Sequence, residues 1–77
     1  GYDKPETHAI KKDGIMYYAL YARRWNDDDV ELRGLEPGVS YTVYDYIDEK
    51  DLGTVTGPVG VLEVSFQRSL LLEVKPQ

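Results

Sequence analysis

The sequence predicts an all-β fold, a small antiparallel β-sandwich of about six to seven strands with Greek-key-like connections. Short apolar or alternating segments recur along the 77 residues, and Gly, Pro and acidic residues separate them. No segment shows a sustained helical period with caps at its ends. The same spacing also fits an open barrel, so the pattern predicts the class and leaves the strand order open.

The first half of the chain predicts three strands. Residues 6–11 are a candidate first strand, and residues 15–22 form an apolar and aromatic run that indicates a strand buried on both faces. The polar residues 23–29 close this strand and predict a loop that contains Trp25. Residues 30–33 then alternate apolar and charged side chains, and the Gly-Leu-Glu-Pro-Gly sequence at 34–38 predicts a turn.

The central segment, residues 39–47, predicts a long strand with two distinct faces. One face consists of Val39, Tyr41, Val43 and Ile47. The other face consists of Ser40, Thr42, Tyr44 and Tyr46. Residues 48–51 are polar and predict the tip of a hairpin.

The remaining residues predict three more strands. Residues 52–56 are a short strand, residues 57–60 a turn, and residues 61–66 and 70–74 two further strands. A helix at residues 69–75 is disfavoured because only seven residues precede Pro76.

Composition limits the classes of partner. The net charge is −5, so neither nucleic acid nor a membrane surface is an expected partner, because both are bound mainly through clustered Lys and Arg. The chain has no Cys and a single His, which disfavours zinc and disulfides. No cofactor is expected, because the Gly-rich phosphate-binding motifs are missing from the sequence.

Catalytic arrangements are equally poorly supported. A serine hydrolase would need His8 to meet Ser40, Ser65 or Ser69, and none of these serines has a nucleophile-elbow context. His8 is better explained as a half-buried strand residue or as a contact with a neighbouring domain. The sequence therefore predicts no catalytic residues and no metal ligands.

Two acidic groups have the oxygen donors that a calcium site or a glycoside-hydrolysing site requires. The first, residues 26–29, has four oxygen donors in a row, but adjacent residues cannot all point at one ion. The second consists of Asp45, Asp48, Glu49 and Asp51. Both groups are predicted to be solvated hairpin tips rather than sites.

The aromatic content is high, with seven Tyr, one Trp and one Phe. Trp25, Tyr44 and Tyr46 are candidate contacts for carbohydrate, because sugar rings stack on aromatic planes, or for a neighbouring domain. Tyr41, four residues beyond Pro37, instead predicts a tyrosine corner, in which the hydroxyl bonds to the backbone of the turn.

Residues 32–46 read LRGLEPGVSYTVYDY, and the chain closes with LEVSF at 62–66 and LLLEV at 70–74. This pattern resembles the C-terminal β-sandwich of bacterial α-galactosidases, the melibiases of glycoside hydrolase family 36. Residues 2–8 and 16–21 are also similar to the segment where such chains leave the catalytic barrel and enter that domain.

The resemblance implies that residues 1–77 are a single C-terminal accessory domain excised from a larger, soluble bacterial glycoside hydrolase. In that family the two catalytic aspartates lie on a (β/α)₈ barrel, and none of the catalytic motif falls within this sequence. The implied partner is the catalytic barrel of the same parent chain, and the implied role is to stabilise that barrel by packing on it.

Two alternatives remain open at this stage. One is a carbohydrate-binding module that uses the aromatic residues above. The other is a spacer or interaction domain, because residues 32–43 fit the pattern L-x-G-L-x-P-G-x-x-Y-x-V and so also resemble a fibronectin type III domain. That family usually has a Trp in an early strand and about 100 residues, and this chain departs from both features.

Overall fold

Five antiparallel strands form one sheet in the computed structural model of the protein, which describes residues 5–77. The strands are β1 (Glu6–Lys12), β2 (Ile15–Arg33), β3 (Ser40–Asp45), β4 (Lys50–Thr56) and β5 (Val59–Pro76). Their order in the sheet is β1-β2-β5-β3-β4, so β5 returns to the middle and pairs with both β2 and β3. The all-β antiparallel class is confirmed.

The strand count is five rather than six or seven, because two long strands each contain two of the predicted ones. β2 joins residues 15–22 to residues 30–33, and β5 joins residues 61–66 to residues 70–74. Residues 2–4 of the lead-in that resembles the end of a catalytic barrel lie outside the described residues.

The prediction of a polar loop at residues 23–29, with a hairpin tip at residues 26–29, is wrong, because these residues continue β2. The pairing of β2 with β5 shifts register twice, between Ala22 and Trp25 and between Trp25 and Asp28. At each shift β2 contains one residue more than β5, which is the definition of a β-bulge. Bulges bend a strand and change which alternate residues face inward, so the sequence pattern here looks like a loop.

A single apolar core lies on the inner face of the folded sheet. Before the bulges, β2 contributes Met16, Tyr18 and Leu20, which are all buried. After the bulges, Val30 and Leu32 of the same strand belong to the same core cluster. We call the paired strands β2 and β5 the β2–β5 ribbon, with a near half before the bulges of β2 and a far half after them. The far half covers the near half, so one continuous sheet forms two layers around the core.

The turn before β3 is fixed by the tyrosine corner that the sequence predicts. Tyr41 is buried, and its hydroxyl oxygen accepts a hydrogen bond of 2.9 Å from the Glu36 N–H. This bond satisfies a backbone donor inside the turn that holds Pro37. The role of Tyr41 as a fold residue is thus confirmed.

The described part of the chain contains no helix that is long and apolar enough to cross a membrane.

Candidate functional site

A cleft of about 640 Å³ lies between β1 and the far half of β2, and it is the first of two candidate surfaces. Its floor is the inner side of β1 and β2, where Thr7, Ala9 and Tyr18 lie. Its opposite wall comes from the far half of the β2–β5 ribbon, with Val30 and Val61. The cleft is therefore a consequence of the bend in β2.

Trp25 also lines this cleft, and the bulges explain why it does. Trp25 pairs with Phe66 of β5. Phe66 lies an even number of residues from the buried Val64 and Leu70, so it faces the core as they do. Paired residues share a face of the sheet, so Trp25 faces inward as well. The Trp25 indole N–H donates a hydrogen bond of 3.0 Å to the Asp28 carbonyl oxygen. The ring is half-buried against the core and held in one orientation at the cleft.

Charged side chains complete the lining of the cleft. Asp29, Glu31 and Arg33 lie on the far half of β2 and are exposed. The Arg33 guanidinium donates a hydrogen bond of 2.6 Å to the Glu31 carboxylate. Two carboxylates and one guanidinium give the residues that line the cleft a net charge of −1.

Tyr18 connects the floor of the cleft to its wall. Its hydroxyl donates a hydrogen bond to the Arg33 carbonyl oxygen. Burial, with a smaller contribution from the neighbouring Tyr41, raises the pKa of Tyr18 from 10.0 to about 12. Tyr18 is therefore a neutral hydrogen-bond donor over the ordinary pH range.

The second surface is the outer face of the sheet, which we define by the residues that pair across it: Ile10, Tyr17, Ala19, Tyr44, Leu71 and Glu73. Ile10 pairs with Tyr17, Tyr17 with Glu73, and Glu73 with Tyr44, so one row crosses four strands. Directly paired residues share a face of a sheet. Register also places polar residues on this side, among them His8, Lys12, Thr42 and Lys75, so the apolar and aromatic groups lie among polar ones. Ile10 is 66% exposed and Tyr44 37% exposed.

The structure divides the three predicted aromatic contacts between these two surfaces. Trp25 lies in the cleft, whereas Tyr44 lies on the outer face beside Asp51 and Glu73. Tyr46 lies just beyond the end of β3, in a turn, and its backbone N–H bonds to the Leu71 carbonyl oxygen at 3.3 Å. The expectation that Tyr44 and Tyr46 both belong to one strand, with Trp25 in a neighbouring loop, is therefore wrong.

Sequence reasoning missed two residues of the outer face. The apolar run at residues 15–22 predicts burial on both faces and so does not mark Tyr17 as a surface residue, and no pattern marks Ile10. The useful signal was the parity of residues 15–21, because Tyr17, Ala19 and Tyr21 alternate with the buried Met16, Tyr18 and Leu20. Both faces of this strand are apolar, so alternation of polarity was too weak to separate them.

In both acidic groups an aspartate forms hydrogen bonds that stabilise the fold. In the first, the Asp27 N–H donates to Ser65 Oγ at 2.7 Å, and that hydroxyl donates to the Asp27 carboxylate at 2.9 Å, which joins the bulged part of β2 to β5. In the second, Asp45 is buried, and its carboxylate accepts hydrogen bonds from the N–H groups of Ile47 and Asp48. Asp45 thus stabilises the β3–β4 turn and is not part of a solvated tip. Residues 5–77 contain no group of three or more side chains placed to hold a metal ion.

His8 is exposed on β1 rather than half-buried, and its Nε2 lies 2.6 Å from the Glu6 carboxylate. Its ring meets the ring of Tyr21 edge to face, with centroids 6.0 Å apart. Register places both residues on the same side of the sheet as the outer face.

No family model matches this chain. Over 79 aligned residues it is 34% identical to an A type blood alpha-D-galactosamine galactosaminidase from Flavonifractor plautii. The alignment covers 95% of this chain and 7% of that relative. The chain is therefore similar to a small part of a much longer glycosidase.

Proposed function

We propose that this chain is a non-catalytic accessory domain of a glycoside hydrolase of the α-galactosidase type, and that it stabilises the parent enzyme by packing its outer face on the catalytic barrel. The observation that carries the proposal is the match of nearly the whole chain to 7% of a galactosaminidase. A segment of that size within a long enzyme is the size of one small domain.

The outer face supports the proposed mode of packing. An antiparallel sheet with one solvated face usually has polar side chains there. Here one row contains Ile10, Tyr17 and Tyr44 together with Glu73, so large apolar and aromatic groups lie beside polar ones. Contiguous exposed apolar surface rimmed by polar groups is typical of protein interfaces.

The charges around this row also favour docking on a protein. Asp51 and Glu73 flank Tyr44, and Lys75 lies in the same shallow depression. Charged groups thus lie within the aromatic row as well as beside it, and interfaces between the domains of one chain are typically this mixed in polarity. The α-galactosidase assignment itself rests on the pattern in residues 32–46, 62–66 and 70–74.

Two charge substitutions test the packing in the parent enzyme. Tyr44→Lys places an ammonium between Asp51 and Glu73, which the isolated domain tolerates because the new charge is opposite to both neighbours. In a packed interface the same charge would be desolvated against an apolar surface. We expect the heat-inactivation temperature of the enzyme to fall by several degrees, with the KM for galactosides unchanged.

Ile47→Lys is the matched control, because Ile47 is 61% exposed in the β3–β4 turn and is not part of the paired row of the outer face. It should leave the inactivation temperature as it is. Assays of the isolated chain with chromogenic α-galactosides and α-galactosaminides accompany this comparison and should show no turnover. Turnover by the isolated chain, or equal effects of the two substitutions, would contradict the proposed function.

A further inference from the structure

We propose that the cleft beside Trp25 binds a protonated amino sugar of the galactosamine type. The inference rests on the proposed function for its choice of sugar, because the galactosaminidase that this chain resembles is named for α-D-galactosamine. The cleft is separate from the outer face, which the proposed function assigns to the parent enzyme.

The size and lining of the cleft suit a sugar ring. Its volume of about 640 Å³ lies within the range of small-molecule sites, roughly 300 to 1,000 Å³. Trp25 offers a flat aromatic surface, and its hydrogen bond to the Asp28 carbonyl oxygen fixes the ring before any ligand arrives. Val61, which is 54% exposed, adds apolar surface, and the Thr7 hydroxyl adds a group that can bond a sugar hydroxyl.

Charge selects a cationic ligand over a neutral or anionic one. Asp29 and Glu31 carry two carboxylates, against one guanidinium on Arg33 that is already bonded to Glu31. A net negative lining attracts an ammonium and repels phosphate or sulfate groups. An ammonium near the indole face also gains a cation–π interaction.

The expected discrimination follows from these two contacts. An exposed ion pair and an exposed cation–π contact each contribute about threefold in affinity. D-galactose has a hydroxyl where D-galactosamine has the ammonium, so it should bind about tenfold more weakly. The stacking surface is the same for both sugars, which isolates the charge effect.

The test is a titration of the isotope-labelled chain, followed by amide NMR at slightly acid pH and low salt. D-galactosamine, D-galactose and ammonium chloride are compared at equal concentrations. We expect saturable shifts at Ala9, Trp25 and Val61 with galactosamine, weaker shifts at the same residues with galactose, and no saturation with ammonium chloride. Galactosamine shifts that do not exceed those from ammonium chloride would overturn the proposal.

A pair of double variants assigns the effect to the cleft. Asp29→Asn with Glu31→Gln removes two carboxylates from exposed positions but keeps Trp25, so it should weaken galactosamine binding about threefold, without changing galactose binding. Asp48→Asn with Glu49→Gln changes the net charge equally at the β3–β4 turn and should have no effect. Equal effects of the two pairs would show non-specific charge attraction and overturn the proposal. The Tyr44→Lys result is independent of this outcome, so failure of the sugar site and failure of the packing proposal are distinguishable.

Discussion

The hydroxyl of Tyr18 donates a hydrogen bond to the carbonyl oxygen of Arg33, although both residues belong to β2 and lie 15 positions apart. A straight strand at about 3.3 Å per residue would separate them by roughly 50 Å. The longest extent of the molecule is 30 Å. β2 therefore folds back on itself, and the bulges on either side of Trp25 are where it bends. The cleft is the space between the two halves of the bent strand and β1.

Tyr18→Phe should destabilise the protein at neutral pH. The substitution keeps the ring in the core but removes the donor to the Arg33 carbonyl oxygen. A hydrogen bond of this kind contributes about 1 kcal/mol to the free energy of unfolding. Urea unfolding measures the loss, and an unchanged unfolding midpoint would show that the bond does not hold the two halves of β2 together.

The same residue predicts a dependence of stability on alkaline pH. The pKa of Tyr18 is about 12 in the folded protein, against 10.0 for an ordinary tyrosine. Because the pKa of Tyr18 is higher in the folded protein, its protonated hydroxyl contributes fully to the free energy of unfolding below pH 10.0. This contribution is lost as the pH rises towards about 12. The loss is of the order of 2 to 3 kcal/mol. Denaturant unfolding across this pH range should show that the free energy of unfolding falls more steeply for the native chain than for Tyr18→Phe. Parallel declines in the two proteins would contradict the raised pKa of Tyr18.

Tyr41→Phe tests the tyrosine corner. It leaves the Glu36 N–H without the hydroxyl acceptor that it has 2.9 Å away. The bond is only partly buried, so its loss should cost about 1 kcal/mol of unfolding free energy. Tyr44→Phe is the matched control, because Tyr44 is partly exposed on the outer face, and it should change the free energy by less than about 0.5 kcal/mol. Similar losses in both variants would argue against a special role for Tyr41.

Gly57→Ala tests the close approach between the turn before β3 and the end of β4. A Cβ at position 57 would lie 2.0 Å from the Glu36 carbonyl oxygen, so the backbone would have to move. We expect a loss of about 3 kcal/mol or more. Gly38→Ala meets no atom within 4 Å but has a φ of +77°, so its cost should be about 1 kcal/mol. Thermal melts of both variants give the comparison, and a smaller loss for Gly57→Ala would refute the predicted clash.

The sequence predicts those features of the fold that depend on local patterns. The strand segments, the turn at residues 34–38 and the corner at Tyr41 all follow from alternation, Gly and Pro positions and residue spacing. The path of β2 through residues 23–29 does not, because bulges disrupt the alternation by which strands are recognised. The inward orientation of Trp25 follows from that path, so the cleft was not predictable either.

The outer face was predicted only in part, for a related reason. Tyr44 was identified because its strand alternates clearly between apolar and polar residues. Tyr17 was not, because both faces of its strand are apolar, and one of them covers the core while the other is partly buried. Only the register with Ile10 and Glu73 shows that Tyr17 and Tyr44 belong to one surface.

We propose that the outer face is covered by the rest of a parent glycoside hydrolase while the cleft remains open. Hydroxyl-radical labelling of the isolated chain and of the full-length glycoside hydrolase, followed by mass spectrometry, tests it residue by residue. We predict that Tyr17 and Tyr44 lose most of their labelling in the full-length enzyme, that Trp25 keeps its labelling, and that the buried Tyr41 is weakly labelled in both. Equal labelling of Tyr17 and Tyr44 in the two samples would contradict the account.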